Sequence, residues 1–418
     1  MFQTRNKNFI SLYFSSISVR QSFYLLWCLI ALPFKNKEKL RVKFHKDFSN
    51  LFHGNKSFSF RSARASLSAL FLALDIGEDD EVLISSFTCL AVPTAALAAG
   101  VKPVYYDIDQ SNMMMDLQEI KKSINENTKA IVIQHTLGMG QKFDILREFC
   151  LSEEILLIED CALSFGSSLD GELLGSFGDA SIFSFELSKT LSTGWGGMLL
   201  INNPKLVDPV KNYYEQVGEL SIFNSVRMLF QTMMCGLIYL PRVFPIAKYP
   251  LPLFFKLKLF APSTPIEEYS GQVQNDFVTK LPKTLLPLAI MQLTRFEEIC
   301  FEHEKNFLII RGHLEMHEYQ LLGSLNKRNR CVSPRIPFLV EERSKFIDHF
   351  EGHGVEVGTW FDGPLSPLPD TDNFNYDKSK YPNSSFIADR VVNLPCHARL
   401  KHKDLKLIEK LLIDYKSI

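Results

Sequence analysis

An apolar run at residues 155–158 ends in Glu159-Asp160 and turns at once into Cys161-Ala-Leu-Ser-Phe-Gly166. A second run, Ser181-Ile-Phe-Ser-Phe185, carries Ser184 near its end and leads into Glu186-Leu-Ser-Lys189 and the glycine-rich Thr193-Gly-Trp-Gly-Gly197. An acid after one strand and a lysine on a turn before a glycine-rich segment suit a pyridoxal phosphate site, which needs a lysine for a Schiff base and a carboxylate facing the pyridinium nitrogen. It also needs a phosphate cradle, which hydroxyls and the backbone amides at a helix start provide. Taken singly, each residue has an ordinary explanation: a solvated lysine, an aspartate as helix N-cap, a serine as buried filler. Their order and spacing, taken with the flanking segments, carry the chemical reading.

The flanking segments alternate helical and strand patterns between about residues 60 and 205. Apolar residues recur at helical spacing over 64–74, with Gly77 as a stop, and the following runs predict strands at 81–84, 102–106, 130–134, 155–159, 181–185 and 198–201. Helices are expected at 91–99, 117–124 and 144–151. Strands apolar on both faces and joined by helices imply an α/β fold: a three-layer α/β/α domain with a mostly parallel sheet. In such sheets ligands gather at the carboxyl ends of the strands, where Asp160 and Ser184 fall. A long amphipathic helix over 285–314 leads into a smaller C-terminal α/β domain. The expected division is an N-terminal helical segment 1–57, a large domain 58–280 and a small domain 281–418.

The chain has 418 residues, 46 Lys+Arg and 47 Asp+Glu, so it lacks the cationic excess that phosphate-backbone binding requires and is not expected to bind nucleic acid. Its eight cysteines are scattered and form no CxxC pair, which reads as buried reduced thiols, no metal site and a cytoplasmic location. The run from Phe23 to Phe34 resembles a signal-peptide core but lacks a small-residue cleavage pattern, so a helix packed on the main body is expected. The large domain carries an apolar, proline-punctuated insertion at 218–262. Interrupted by Gln231 and Pro241, its stretch 228–240 is too short to span a bilayer and is expected to be buried in the protein or a dimer interface.

Residues 60–82, Ser86-Phe-Thr88, Gly100-Val-Lys-Pro-Val-Tyr-Tyr-Asp107, Ile158-Glu-Asp-Cys-Ala162, Gly175-Ser-Phe-Gly-Asp179, Ser184, Lys189 and Gly196-Gly197 together resemble the DegT/StrS group. These are fold type I pyridoxal-phosphate aminotransferases acting on nucleotide-linked keto sugars. The resemblance covers residues 58–205 and, more loosely, 286–311. It implies that Lys189 is the Schiff-base lysine, Asp160 the partner of the pyridine nitrogen, Ser184 a phosphate ligand, and Ala63 and Arg64 the helix-start positions whose amides hold the phosphate. His135 stands where the group often has a histidine, either with a role at the cofactor or as a satisfied buried ring. Three positions depart from the pattern: Cys89 replaces the stacking aromatic, Leu163 a glutamine and Trp195 a common glutamate. The usual histidine-containing substrate loop is not recognisable in residues 355–365.

The resemblance implies a homodimeric aminotransferase moving an amino group, with glutamate as the expected donor, onto a nucleotide-linked keto sugar for cell-surface polysaccharide or glycoconjugate biosynthesis. Two rivals stand beside it. A sugar dehydratase of the same group would carry histidine where this chain has Lys189. A catalytically inactive scaffold or regulator would bind no cofactor and could reach a membrane through residues 218–262.

Overall fold

In a computed structural model, the protein is described at residues 9–12, 16–31, 37–238, 240, 243–247, 249–274, 276–326, 328–367 and 372–417. Its centre is a seven-stranded sheet. The strands are β1 (Lys56–Phe60), β2 (Glu81–Ser85), β4 (Lys102–Tyr106), β5 (Thr128–Gln134), β6 (Leu156–Asp160), β9 (Ala180–Ser184) and β10 (Gly197–Ile201), in the spatial order β1-β10-β9-β6-β5-β2-β4. Neighbours from β9 to β4 pair in parallel, while β10 runs antiparallel to both β9 and β1. Two-residue strands complete the set up to this point: β3 (Thr88–Cys89), and β7 (Ser168–Leu169) paired with β8 (Glu172–Leu173).

Successive strand residues point to opposite faces, and both faces are covered. Ile84, Val132, Ile158, Ile182 and Leu199 pack under α3 (Ala63–Ala73), α4 (Ala91–Ala98) and α7 (Val207–Gln216). On the other face Leu83, Ile131, Ile133 and Leu157 meet α5 (Leu117–Ser123) and α6 (Asp144–Ser152), while Phe183, Met198 and Leu200 meet α2 (Lys37–Ser49). The layered α/β architecture and its mostly parallel sheet are as the periodicity predicts. The edge strand β1 was not anticipated: Lys-Ser-Phe-Ser-Phe is short and follows a polar stretch, and its pairing partner β10 lies far away in sequence.

Before the sheet, α1 (Val19–Ala31) buries Leu25 and Cys28, so the expected N-terminal helix packs on the body. Residues 32–34 of the predicted run lie outside the described residues. Helix α1 rests on α8 (Ile222–Ile238), and the two approach so closely that a Cβ at Gly236 would lie 2.2 Å from Ser22 Oγ. Within the stretch expected to be buried, Met228, Leu229, Thr232, Cys235 and Ile238 are indeed inside the protein. The short α9 (Phe244–Ala247) and α10 (Leu251–Lys256) follow, and Phe260 packs against Phe230 and Phe254. Among the described residues no helix is long and apolar enough to cross a membrane.

The predicted single helix over 285–314 is instead two, α11 (Leu286–Leu293) and α12 (Phe296–Met316). A tight turn separates them, in which the Arg295 N–H donates to the Gln292 carbonyl at 3.0 Å and Thr294 Oγ1 donates to the Met291 carbonyl at 2.8 Å. The break lets Phe296 enter the core, with its ring centroid 4.8 Å from that of Phe165. Apolar spacing persists through the break, so periodicity alone does not reveal it. The C-terminal part has an antiparallel sheet of β11 (Gln320–Leu321), β12 (Arg335–Leu339) and β14 (Val391–Pro395), packed with α13 (Arg343–Gly352), α14 (Pro382–Arg390) and α15 (His402–Lys416). From this part, β13 (Leu365–Ser366) returns to pair in parallel with β3.

His397 ties the two ends of the chain together. Its Nε2 donates to the Ser11 carbonyl at 3.0 Å, and its Nδ1 accepts from the Arg399 N–H at 3.3 Å, which requires a neutral ring. Burial lowers its pKa to about 3, and that of buried His303 to about 4. The unfolded chain takes up these protons near pH 6.5, whereas the folded chain resists until a lower pH. Stability is therefore level above that value and falls as pH drops from about 6.5 towards 4, by up to about 1.4 kcal/mol per pH unit per histidine. We expect urea unfolding midpoints to fall across this window, and His397→Gln to make the fall shallower; an unchanged slope in the variant would contradict the assignment.

Candidate active site

At the carboxyl ends of β6 and β9 lies a cavity of about 390 Å³. The register Gln134↔Asp160↔Ile182 places the ends of β5, β6 and β9 side by side, so Asp160 and Ser184 both line it. Asp160 Oδ1 accepts from the Ala162 N–H at 2.9 Å. Burial pushes the Asp160 carboxyl up, opposed by that hydrogen bond and by the charges of Lys189 and His135. The carboxylate would thus gain from a cationic N–H facing it across the cavity.

Lys189 follows β9 on a turn whose N–H donates to the Glu186 carbonyl, and its Nζ lies 5.8 Å from the centre of the Trp360 ring. Desolvation lowers its pKa, with Arg335 adding to the effect and Glu186, Cys89 and Asp160 opposing it. An amine made easier to deprotonate is what a lysine nucleophile or proton carrier needs.

The third part of the site is the start of α3. Ser62 caps the helix, its side chain accepting from the Ala65 N–H. The first amides of the helix, those of Ala63 and Arg64, lack an intrahelical carbonyl by geometry, and both residues line the cavity. Gly197 makes this placement possible: a Cβ there would lie 2.3 Å from Ala63 N. Ser184 is positioned across the same cavity, its Oγ accepting only a long 3.4 Å bond from the Glu186 N–H. A hydroxyl, helix-start amides and the positive end of a helix dipole form a cradle suited to a phosphate dianion. The Arg64 guanidinium does not take part, since it is paired with Glu268 and the Ser263 carbonyl.

All seven residues singled out as the catalytic and cofactor set converge here: Lys189, Asp160, Ala63, Arg64, Cys89, Leu163 and Ser184 line the one cavity. Trp195 lines it too. His135 does not. Its ring is fully buried, with Nε2 donating at 2.8 Å to Oε2 of Glu159, the residue before Asp160. Sequence reasoning missed Trp360, Phe361, Ser263 and Thr264 as lining residues, and the buried Arg335 beside Trp360 at 5.2 Å. For Trp360 and Phe361 the available signal was an aromatic pair between Gly358 and Gly363. Nothing in the local sequence marks Ser263, Thr264 or Arg335.

A model of the DegT/DnrJ/EryC1/StrS aminotransferase family matches residues 33–225 and 267–412. The chain belongs to this family. GDP-perosamine synthase of Escherichia coli O157:H7 is 32% identical over 200 residues, 48% of this chain and 55% of that protein. The chain thus spans about half the length of the first curated relatives it matches. Among solved structures, the sugar aminotransferase CalS13 of Micromonospora echinospora has a TM-score of 0.74 at 18% identity, over 97% of this chain and 99% of its own. The Streptococcus pneumoniae protein Spr1654 in its PLP form has a TM-score of 0.73 at 18% identity, over 98% of this chain and 99% of its own. These likenesses establish a shared fold across nearly the whole chain.

The contact between Gly197 and α3 yields a direct test of the cradle. We expect Gly197→Ala to push the Ala63 amide out of place and weaken binding of added pyridoxal phosphate by about tenfold or more, the scale of one or two charge-assisted hydrogen bonds. Absorbance titration measures the affinity, and an unchanged far-UV circular dichroism spectrum separates this loss from unfolding.

Proposed function

We propose that this family member is a pyridoxal-phosphate-dependent aminotransferase that moves an amino group from an amino acid, glutamate being the expected donor, onto a nucleotide-linked keto sugar. The observation that carries this reading is the convergence of Lys189, Asp160, Ser184 and the α3 start on one cavity. When bound, pyridoxal phosphate supplies an aldehyde carbon and an electron-withdrawing ring. The amides of Ala63 and Arg64 and the Ser184 hydroxyl would hold its phosphate. Asp160 would hold a proton on the ring nitrogen, and that proton would offset the cost of burying the carboxylate. Lys189, favoured in its neutral form by burial, would serve as nucleophile toward the aldehyde and then as the base that carries a proton at Nζ.

Cys89 and Leu163 would present apolar surface to the cofactor, where the family more often offers an aromatic face and an amide. Trp195, Trp360 and Phe361 give the substrate side an aromatic lining, suited to a sugar ring or a nucleobase. We further propose a homodimer acting in the cytoplasm in polysaccharide or glycoconjugate synthesis; the pathway part of this reading is supported by a Bacillus subtilis relative named as a spore coat polysaccharide biosynthesis protein, 29% identical over 169 residues. Lys189 weighs against the dehydratase reading, which would place histidine there, and the intact set of site residues weighs against a scaffold without cofactor.

Incubation of the purified protein with glutamate and a panel of nucleotide keto sugars, followed by mass spectrometry, tests the reaction. An amino-sugar product is expected, and none across the panel together with a colourless protein would refute the reading. Lys189→Ala should abolish turnover and leave no borohydride-trapped cofactor adduct; a trapped adduct in this variant would assign the role to another lysine.

Asp160→Asn should retain the cofactor yet lower kcat on the order of a hundredfold or more, the scale of losing one preorganised electrostatic partner. Activity within a few-fold of the parent would reduce Asp160 to a turn-capping residue, whose removal costs about 1 kcal/mol of stability.

A further inference from the structure

The family match leaves out residues 1–32 and 226–266, and in the structure α1 from the first segment packs on α8, most of which lies in the second. Helix α1 lies along α8, and the segment holding α9 and α10 rests on α8 through Phe230, Phe254 and Phe260. Each turns an apolar side outward. On α1 the exposed residues Phe23, Leu26 and Trp27 recur at helical spacing, so the helix is apolar toward the protein and toward solvent alike. Beyond α8, Ile246, Leu253, Phe255, Leu257 and Leu259 are between 40% and 75% exposed. An exposed apolar surface of this extent marks an interaction site.

The charge of the same segments is one-sided. Between Leu220 and Ile266 there are five Lys+Arg and no Asp or Glu, and the first 37 residues likewise hold five Lys+Arg and no acid, in a chain whose total charge is balanced. Of these, Arg20, Lys256 and Lys258 are exposed beside the apolar residues. A second copy of the chain docking here would bring cation against cation, which symmetric pairing penalises. A surface that accepts aromatic and aliphatic side chains between fixed negative charges satisfies both features at once.

We propose that this face docks the protein on an anionic membrane surface, with α1 and the exposed residues Ile246, Leu253, Phe255, Leu257 and Leu259 reaching the headgroup and acyl boundary while the buried side of α8 stays in the protein. Lys256 and Lys258 pair with lipid phosphates, and Trp27 and Phe255 enter the interface as amphipathic and apolar anchors. Residues Ser263 and Thr264 follow directly and line the cavity, so the docked segment ends at the rim of the site. This inference is independent of the reaction assigned to the cavity.

Flotation of the purified full chain tests it, with vesicles of phosphatidylcholine alone and with vesicles of equal parts phosphatidylcholine and phosphatidylglycerol. The protein should float with the anionic vesicles, remain behind with the neutral ones, and be released by high salt. Two variants separate the contributions: Trp27→Ser with Leu253→Ser and Phe255→Ser, and Lys256→Glu with Lys258→Glu. Each should lower partitioning by about tenfold or more, with the solution mass by light scattering and the cofactor absorbance unchanged. Failure of the parent protein to float with anionic vesicles, or equal flotation with both compositions, overturns the proposal. A fall in solution mass in the apolar variant would show that another copy covers this face, and overturns it too.

Discussion

The Glu159 carboxylate is the hub on which the geometry of the site depends. Fully buried, it accepts from the N–H groups of Phe177 and Gly178 on Oε1, and from Gly175 N–H and His135 Nε2 on Oε2. A buried carboxylate is costly unless its lone pairs are satisfied, and here four donors satisfy them. Those donors come from the end of β5 and from the loop before β9, so a single side chain locks both neighbours to β6. Asp160 is the next residue. Because successive strand residues face opposite ways, fixing Glu159 on the far side of the sheet aims Asp160 into the cavity. The buried cluster of His135, Glu159 and Cys161 reads as part of this hub, its carboxylate already engaged by donors.

Within the cavity, burial works against charge on both principal groups, raising the Asp160 carboxyl and lowering the Lys189 amine. The two opposite shifts have one cause, loss of water, and they leave a lysine inclined to be neutral facing a carboxylate that benefits from a cationic partner. Arg335 reinforces the effect on Lys189 from the C-terminal part of the chain, and the Trp360 ring centre lies 5.8 Å from Lys189 Nζ and 5.2 Å from the Arg335 guanidinium carbon. The electrostatics of the site are therefore set jointly by the large sheet and by the C-terminal part, which also delivers β13 to the strand that bears Cys89.

The insertion shapes the site from a third direction. Arg64, at the start of α3, has its guanidinium committed to Glu268 and to the carbonyl of Ser263, which ties the cavity-lining segment just after the insertion to that helix. Its backbone amide remains directed by the helix, so one residue serves the cradle through its main chain and the rim through its side chain. This division leaves the helix-start amides and the Ser184 hydroxyl on one part of the cavity lining, while Trp195, Trp360 and Phe361 contribute aromatic surface to the rest.

The sequence by itself determined the layered α/β architecture and three cavity-lining residues, Asp160, Ser184 and Lys189, because both depend on local signals, whereas Ala63, Arg64, Cys89 and Leu163 were reached through the family resemblance. Strand and helix periods show through residues 60–205, and Asp160, Ser184 and Lys189 follow their strands within a few positions. Contacts between distant segments left no such signal. The pairing of β1 with β10, the break between α11 and α12, and the arrival of Trp360, Arg335, Ser263 and Thr264 at the cavity were decided by tertiary structure. So was the role of His135: a lone histidine after a strand fits either a cofactor contact or a buried anchor, and only the placement of Glu159 distinguishes them. The apolar insertion was legible as apolar but not as two-sided. Composition counts side chains, and only the packing of α1, Phe254 and Phe260 about α8 decides which of them the protein buries and which it leaves facing outward.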